Sequence, residues 1–285
     1  MKSISAIFLV VLLQLTKVAC TEPPKTINPP GYDLAKPTVY KMPSVLEEIS
    51  GIALNHGKTD TIFAEQDEEG KLFYFHLGDA EVSHTKFSKR GDYEDVAICN
   101  GQVIMLRSDG VFFTFPLNGI GNKETGNAIE QAGLLPQGEY ESLYADENNN
   151  SLYMLCKNCS DDKSAGTVSG QVFSVGSDGK LALKDHFSID EKAIAALAGK
   201  EKIKFKPSGL ARNPVTNQWY ILSSGNKTLL ITDAQWKPLN AYPLNPSLFT
   251  QPEGITFDMA GNLYIANEKG NAENGTILLF KYRKK

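Results

Sequence analysis

The sequence predicts an all-β fold: a five-bladed β-propeller of four-stranded blades, with an N-terminal strand closing the last blade. Two observations predict it. A short motif recurs five times along the chain, and each copy is followed by further strand-like runs. The copies are "EEISGIAL" (47–54), "GDYEDVAI" (91–98), "GEYESLYA" (138–145), "FKPSGLAR" (205–212) and "TQPEGITF" (250–257). Equivalent positions in them are Ser50, Glu94, Glu141, Ser208 and Glu253, spaced by 44, 47, 67 and 45 residues. A period near 45 residues is that of a repeated supersecondary unit, such as a propeller blade.

Each motif opens a unit. A second apolar run follows in every copy: "TIFAEQD", "QVIMLRS", "SLYMLCK", "QWYILSS" and "NLYIANE". A third follows that: "KLFYFHL", "GVFFTFPL", "GQVFSV", "TLLITD" and "TILLFKY". Short runs rich in Val, Ile, Tyr and Phe, separated by Gly, Asn and Asp, read as antiparallel strands. Fourth strands are expected at "EVSHTKF", "LALKDHFSI" and "LNAYPL". Four strands per unit make a blade. The last unit runs out of chain before its fourth strand, and "PTVYKMP" (37–43) stands spare in front of the first. Pairing the two closes the ring and leaves no open sheet edge at the joint. Six blades are the alternative, with the extra one in the long interval between Glu141 and Ser208. That interval holds a polar stretch, "CSDDKSAGTVSG", and a helical one, "IDEKAIAALAGKEK", with Asp190 as N-cap and Glu191 in the first turn. It reads as a loop and helix insertion over about residues 156–205.

The N-terminus reads as a targeting segment. Lys2 precedes an apolar stretch, 6–15, too short to span a bilayer as a mature helix. Residues 1–19 are the expected signal peptide, and "VAC" followed by "TEPP" resembles a lipoprotein cleavage site with Cys20 as the lipidated residue. Lys17 departs from the usual apolar residue at its position, and an ordinary secretory signal cut nearby is the alternative. The Pro-rich stretch 20–38 is expected to be a tether and 39–285 a single propeller domain. The expected location is the periplasm or the outer membrane of a Gram-negative bacterium, with membrane contact only through the lipid. In such an oxidising compartment the C-K-N-C spacing of Cys156 and Cys159 allows a small disulfide, with free thiols or a redox or metal role as alternatives. Cys99, in "DVAIC", reads as a core residue.

A formal net charge of −4 over 285 residues, with no basic stripe, argues against nucleic-acid binding. A hydrophobic content of 41% describes an ordinary globular domain.

The first strand of a propeller blade lines the central channel, so equivalent residues of successive blades form a ring. Glu94, Glu141 and Glu253 share that ring with Ser50 and Ser208. Carboxylates converging on an axis repel one another; they protonate at raised pKa, attract basic partners or bind a cation. Oxygen ligands of this kind suit calcium or magnesium. Asp67 and Glu268 end the second strands of the two blades on either side of the closure and are further candidate ligands. Asp92 and Asp95 flank Glu94 as weaker ones. Arg107 and Lys157 stand at equivalent strand ends and are candidate contacts for a small anionic ligand. Structural capping by the glutamates, and salt bridges by Arg107 and Lys157, are the competing readings.

Four of these strings together, "LEEISGIAL…DTIFAEQDEEGKLFYF", "GDYEDVAI", "PSGLARNPVTNQWYILSS" and "QPEGITFDMAGNLYIANE", resemble the SdiA-regulated (YjiK-like) family of exported bacterial proteins. The resemblance covers roughly residues 40–282. It implies a five-bladed propeller and a calcium-binding site, carried onto Glu94, Glu141 and Glu253, with Glu268 as a further member. The family is distantly similar to NHL-repeat propellers, which mostly mediate protein contacts, and to calcium-dependent propeller phytases. Phytases open their first blade with an Asp-Asp-Pro-Ala motif; this chain has "EEISGIAL" there, which argues against a full multi-calcium cleft.

Two functions follow as expectations. The first is an exported, membrane-anchored calcium-binding propeller acting as a ligand- or protein-binding module, monomeric and without catalysis. The alternative is a metal-dependent hydrolase, a phytase-like phosphoesterase or a lactonase, with Glu268, Asp67 or Glu94 as base. None of His56, His76, His84 and His186 falls at the channel position, and no Gly-x-Ser-x-Gly nucleophile motif occurs.

Overall fold

Residues 28–284 are described by a computed structural model. Among them are five antiparallel sheets of four strands each. Blade one holds β2 (Ile49–Leu54), β3 (Ile62–Gln66), β4 (Lys71–Phe75) and β5 (Ser83–Lys86), after β1 (Thr38–Lys41), which belongs elsewhere. Blade two holds β6 (Tyr93–Cys99), β7 (Gln102–Arg107), β8 (Phe112–Pro116) and β9 (Ile129–Gln131). Blade three holds β10 (Tyr140–Asp146), β11 (Ser151–Cys156), β12 (Thr167–Val175) and β13 (Leu181–Asp190). Blade four holds β14 (Gly209–Arg212), β15 (Trp219–Ser223), β16 (Thr228–Thr232) and β17 (Pro238–Pro243). Blade five begins with β18 (Pro252–Phe257), β19 (Leu263–Asn267) and β20 (Thr276–Phe280), and β1 completes it, with Val39 opposite Leu278. The five-bladed ring and its closure by the N-terminal strand are therefore as the repeat predicts.

The innermost strands β2, β6, β10, β14 and β18 are neighbours in that order around the axis, and β18 meets β2 again. Among the described residues there is no central core. Apolar side chains form five wedges, one between each pair of adjacent blades. Val96 packs toward blade one and Ala97, the next residue, toward blade three. Strands buried on both faces read as continuous apolar runs rather than as alternation. Turn chemistry fits the same plan: Asn100 and Gly101, both at positive φ, join β6 to β7 as a two-residue hairpin.

The motif glycines have a packing reason. A Cβ on Gly254 would run into the Ser50 carbonyl oxygen of blade one, and a Cβ on Gly51 would lie 2.6 Å from the Asp95 Cα of blade two. Neighbouring strands approach closely at these glycines, where a Cβ has no room. Side chains stitch the same level together. Ser50 Oγ donates to the Glu94 carbonyl (3.1 Å), Ser208 Oγ to the Pro252 carbonyl (2.8 Å), and Asp95 Oδ2 accepts the Leu143 N–H (2.5 Å).

Two stretches differ in detail from the sequence reading. Within 156–205 the polar stretch folds in part as a helix, α1 (Ser160–Ala165), and a second helix, α2 (Glu191–Leu197), follows β13 with Asp190 Oδ1 accepting the Lys192 N–H at 2.8 Å. Between them lie β12 and β13, the longest strands of the fold at nine and ten residues, so the extra length is not one inserted block. The second difference is in the stretch expected to be tether. Tyr32 and Leu34 are buried against blades four and five; Tyr32 donates to the Gly261 carbonyl (2.6 Å) and accepts from Asn213 Nδ2 (2.8 Å). The folded unit thus includes residues ahead of 39. The signal segment, Cys20 and the rest of the tether lie outside the described residues. Among the described residues, no helix is long and apolar enough to cross a membrane.

Candidate functional site: a carboxylate-lined channel mouth

At the N-terminal ends of the innermost strands the repeat places Ser50, Glu94, Glu141, Ser208 and Glu253 at one mouth of the axis. A cavity of about 430 Å³ opens there, walled by Glu141 and Glu253, by Lys157, Lys206 and Lys227, and by Ser208 and Gln251 among others. Glu268 and Asp67 follow β19 and β3 at the same end of the molecule.

The acids differ in their surroundings. Glu141 is buried and paired with Lys157, whose ammonium also reaches Glu139 Oε1 at 2.9 Å. Glu253 is buried beside that pair. Burial lifts its carboxyl to about 7, against the pull of Lys157, the Ser224 and Ser208 hydroxyls and Lys227. Glu94 goes further, to about 9, by burial and then the charge of Asp92, with Lys157 pulling back and Glu253 and Glu268 pushing on. Glu268 is raised to about 8 by burial and by Glu253 and Asp67, and it accepts a hydrogen bond from Gln251 Nε2. Asp67 is raised to about 6 by burial and by Glu48 and Glu68; its Oδ1 is buried without a partner. Removing like charges from water makes each one costlier to ionise. Lys157 is the counter-charge felt by Glu94, Glu253 and Glu268 alike.

Other candidates sit differently. Arg107 is held by Asp109 through two 2.9 Å bonds and lies over the Phe113 ring, and it is not in the cavity wall. Asp92 is exposed and accepts from Ser108 Oγ, while Asp95 serves the strand backbone. Cys156, the last residue of β11, and Cys159 form a disulfide that brackets Lys157. Cys99 is a buried free thiol.

Several mouth residues were not singled out from the sequence. Lys206 and Gln251 stand at equivalent positions of two repeat copies, two residues before Ser208 and Glu253, so the repeat could have pointed to them; Lys227 falls in a turn outside the repeated motif. Glu65 had one: it is a lone acid in the apolar run "TIFAEQ". It is 0% exposed, its Oε1 accepts the Gly51 N–H at 2.6 Å, and its Oε2 has no partner. Burial pushes its carboxyl well above the usual range, with Asp95, Glu94 and Asp67 adding to the rise.

The donor set is all oxygen, which fits a hard cation such as Ca²⁺ by chemistry. The orphaned Asp67 Oδ1 fits it too. The geometry is not preformed: among the described residues, the one set of three ligand atoms drawn together is Cys156, Cys159 and Asp162, and both sulfurs are spent in the disulfide.

Fold and site together define a five-bladed β-propeller with an acidic, lysine-countered channel mouth. The family model named SdiA-regulated matches residues 180–271, which span the outer strand of blade three, all of blade four and the inner strands of blade five. Among solved structures the chain is similar to the glutaminyl cyclase of Myxococcus xanthus, at 14% identity over 87% of this chain and 96% of that one, with a TM-score of 0.53. It is also similar to a calcium-binding protein, regucalcin, of Agrobacterium tumefaciens, at 14% identity over 90% of this chain and 96% of that one, with a TM-score of 0.50. At such identities the likeness is one of fold. No curated protein matches the sequence.

Proposed function

We propose that the protein is an exported, calcium-binding β-propeller that acts as a binding module for a small anionic ligand or a protein partner, through the carboxylate mouth. One observation carries this reading. Glu141 and Glu253 wall the cavity at one channel mouth and Glu94 shares their repeat position; Glu94, Glu253, Glu268 and Asp67 have carboxyls raised to between about 6 and about 9. A bound divalent cation offsets that burial, and the like charge that adds to it at Glu94, Glu268 and Asp67. Glu253, Glu268, Glu94 and Asp67 are the residues that hold it. Lys157 leaves Glu141 to make room and, with Lys206 and Lys227, faces an anionic group on the ligand. Regucalcin of Agrobacterium tumefaciens is described as calcium-binding; for this chain the cation rests on its own oxygen donors. Export is supported by the Cys156–Cys159 disulfide, which belongs in an oxidising compartment. Anchoring through Cys20 belongs to the same proposal.

The test is thermal melting of the purified mature chain in EDTA, then with Ca²⁺ or Mg²⁺. At about 100 times its dissociation constant, a cation bound only by the folded state adds about 2.7 kcal/mol, a shift of several degrees. The expected result is a rise with Ca²⁺ that Glu253→Ala removes. No shift in the parent chain defeats the calcium reading and leaves the glutamates as structural groups. Phosphoesters and lactones assayed on the calcium-loaded sample give no turnover; turnover would move the protein to the hydrolases.

A further inference from the structure

The axis has a second mouth. At the C-terminal ends of the innermost strands a cavity of about 500 Å³ opens away from the carboxylates. This volume lies within the range of small-molecule pockets. Its walls follow from the repeat. Two residues past the Ser/Glu position, Ile52, Val96, Leu143, Leu210 and Ile255 make an aliphatic ring. Two further on, the lip is Leu54, Ile98, Ala145, Arg212 and Phe257: four apolar residues and one guanidinium. Met259, 73% exposed, extends the apolar surface outward from the rim.

The charges at this mouth are unequally satisfied. Asp146 accepts from the Asn148 N–H (3.1 Å) and Asn149 Nδ2 (3.0 Å). Glu147 accepts from the His56 N–H (2.6 Å) and lies 3.0 Å from His56 Nδ1. Asp258 accepts from the Asn262 N–H (2.8 Å), Asn262 Nδ2 (2.7 Å) and Tyr264 OH (3.1 Å). Arg212 makes one long bond, Nη1 to Asp146 Oδ2 at 3.4 Å, and its Nε is buried with no partner. Its guanidinium is held over the Trp219 ring, 5.2 Å from the centroid. Asp146 and Asp258 are occupied by their own loops and Glu147 by the His56 loop of blade one; Lys58, exposed, is a second cation in the wall, and a fixed guanidinium with spare N–H donors borders the aliphatic ring.

We propose that this mouth binds an organic carboxylate with an apolar, acyl-type tail. The carboxylate sits on the Arg212 fork, whose geometry matches its two oxygens, and the tail lies against the aliphatic ring. This site is separate from the carboxylate mouth and does not depend on calcium.

Trp219 beneath Arg212 gives the readout. Decanoate, titrated into the mature chain below its aggregation range, gives a saturable change in tryptophan fluorescence. Decanol and acetate, which lack the head group and the tail respectively, bind at least tenfold more weakly. Decyl phosphate, run alongside, separates a carboxylate site from a general anion site by binding more weakly than decanoate. Arg212→Gln weakens decanoate at least tenfold and leaves decanol unchanged. Ala145→Phe, which adds bulk at the lip and keeps Arg212, weakens both, and serves on its own if Arg212→Gln does not fold. Glu253→Gln, at the other mouth, leaves decanoate binding intact. The proposal is overturned by an absence of saturable binding, by equal binding of decanoate and decanol, by decyl phosphate binding as well as decanoate, or by decanoate affinity that survives both lip variants.

Discussion

Glu253 shows what one residue type at one repeat position does. Its neighbours in the ring, Ser50 and Ser208, are clips that tie one blade's backbone to the next. A glutamate in their place reaches beyond the backbone into the mouth, where burial raises its carboxyl to about 7. The consequence for stability has a definite sign. An unfolded glutamate titrates near 4.3, so between that pH and the raised values the folded chain holds more protons than the unfolded one. Stability therefore falls as pH rises. The melting temperature of the metal-free chain should drop from pH 5 to pH 9, the range bounded by Glu94 at about 9. Glu253→Gln should flatten the part of that drop below pH 7 and, at pH 8, stabilise the metal-free chain by about 1–3 kcal/mol. A melting series in EDTA across pH measures both. Lys157 gives the complementary test. It pairs with Glu141 and draws down Glu94, Glu253 and Glu268. Lys157→Gln removes the internal cation, so it should destabilise the metal-free chain and tighten Ca²⁺ severalfold in calorimetric titration. Weaker Ca²⁺ binding would mean that Lys157 helps hold the site.

At the scale of the element, the innermost strand is constrained more by its neighbours than by its own propensity. β18 carries Gly254 where a strand former would be expected, because the Ser50 carbonyl of β2 leaves no room for a Cβ. Gly254→Ala should cost about 2–3 kcal/mol by overpacking the joint between blades five and one. Gly101→Ala, in the β6–β7 hairpin, is the comparison. Its added Cβ meets nothing, and only its positive φ of 74° opposes the change, at about 1–2 kcal/mol. Urea unfolding of the two variants measures the difference. The "SG" or "EG" pair of three of the five copies is thus a packing signature. It could be read from the sequence as a repeat, but the reason for the glycine lies on another strand.

At the scale of the whole molecule, the ring is closed by chain that precedes the first blade. β1 hydrogen-bonds β20 in register, and Tyr32 and Leu34 reach back to the wedge between blades four and five. A chain begun at Tyr40 loses half of β1 and both anchors. It should melt at least 10 °C below the chain begun at Asn28 and aggregate more readily, because β20 becomes an edge. Side-by-side scanning calorimetry and light scattering of the two chains measure this; equal melting would show that closure contributes little.

The sequence by itself determined the five units, their strands other than β9, the closing strand and the one ring position that carries the glutamates. All of these are written in local periodicity and turn chemistry, which need no partner to be read. Only the tertiary structure decided which acids lose water, that Lys157 and not Arg107 stands among them, that Glu65 is sealed inside, and that Tyr32 belongs to the fold. It alone also revealed the apolar well with Arg212 at the far mouth. The physical reason is that desolvation, charge pairing and cavity shape are properties of residues brought together from different blades. A repeat sets each blade's contribution but not what its neighbours place opposite it.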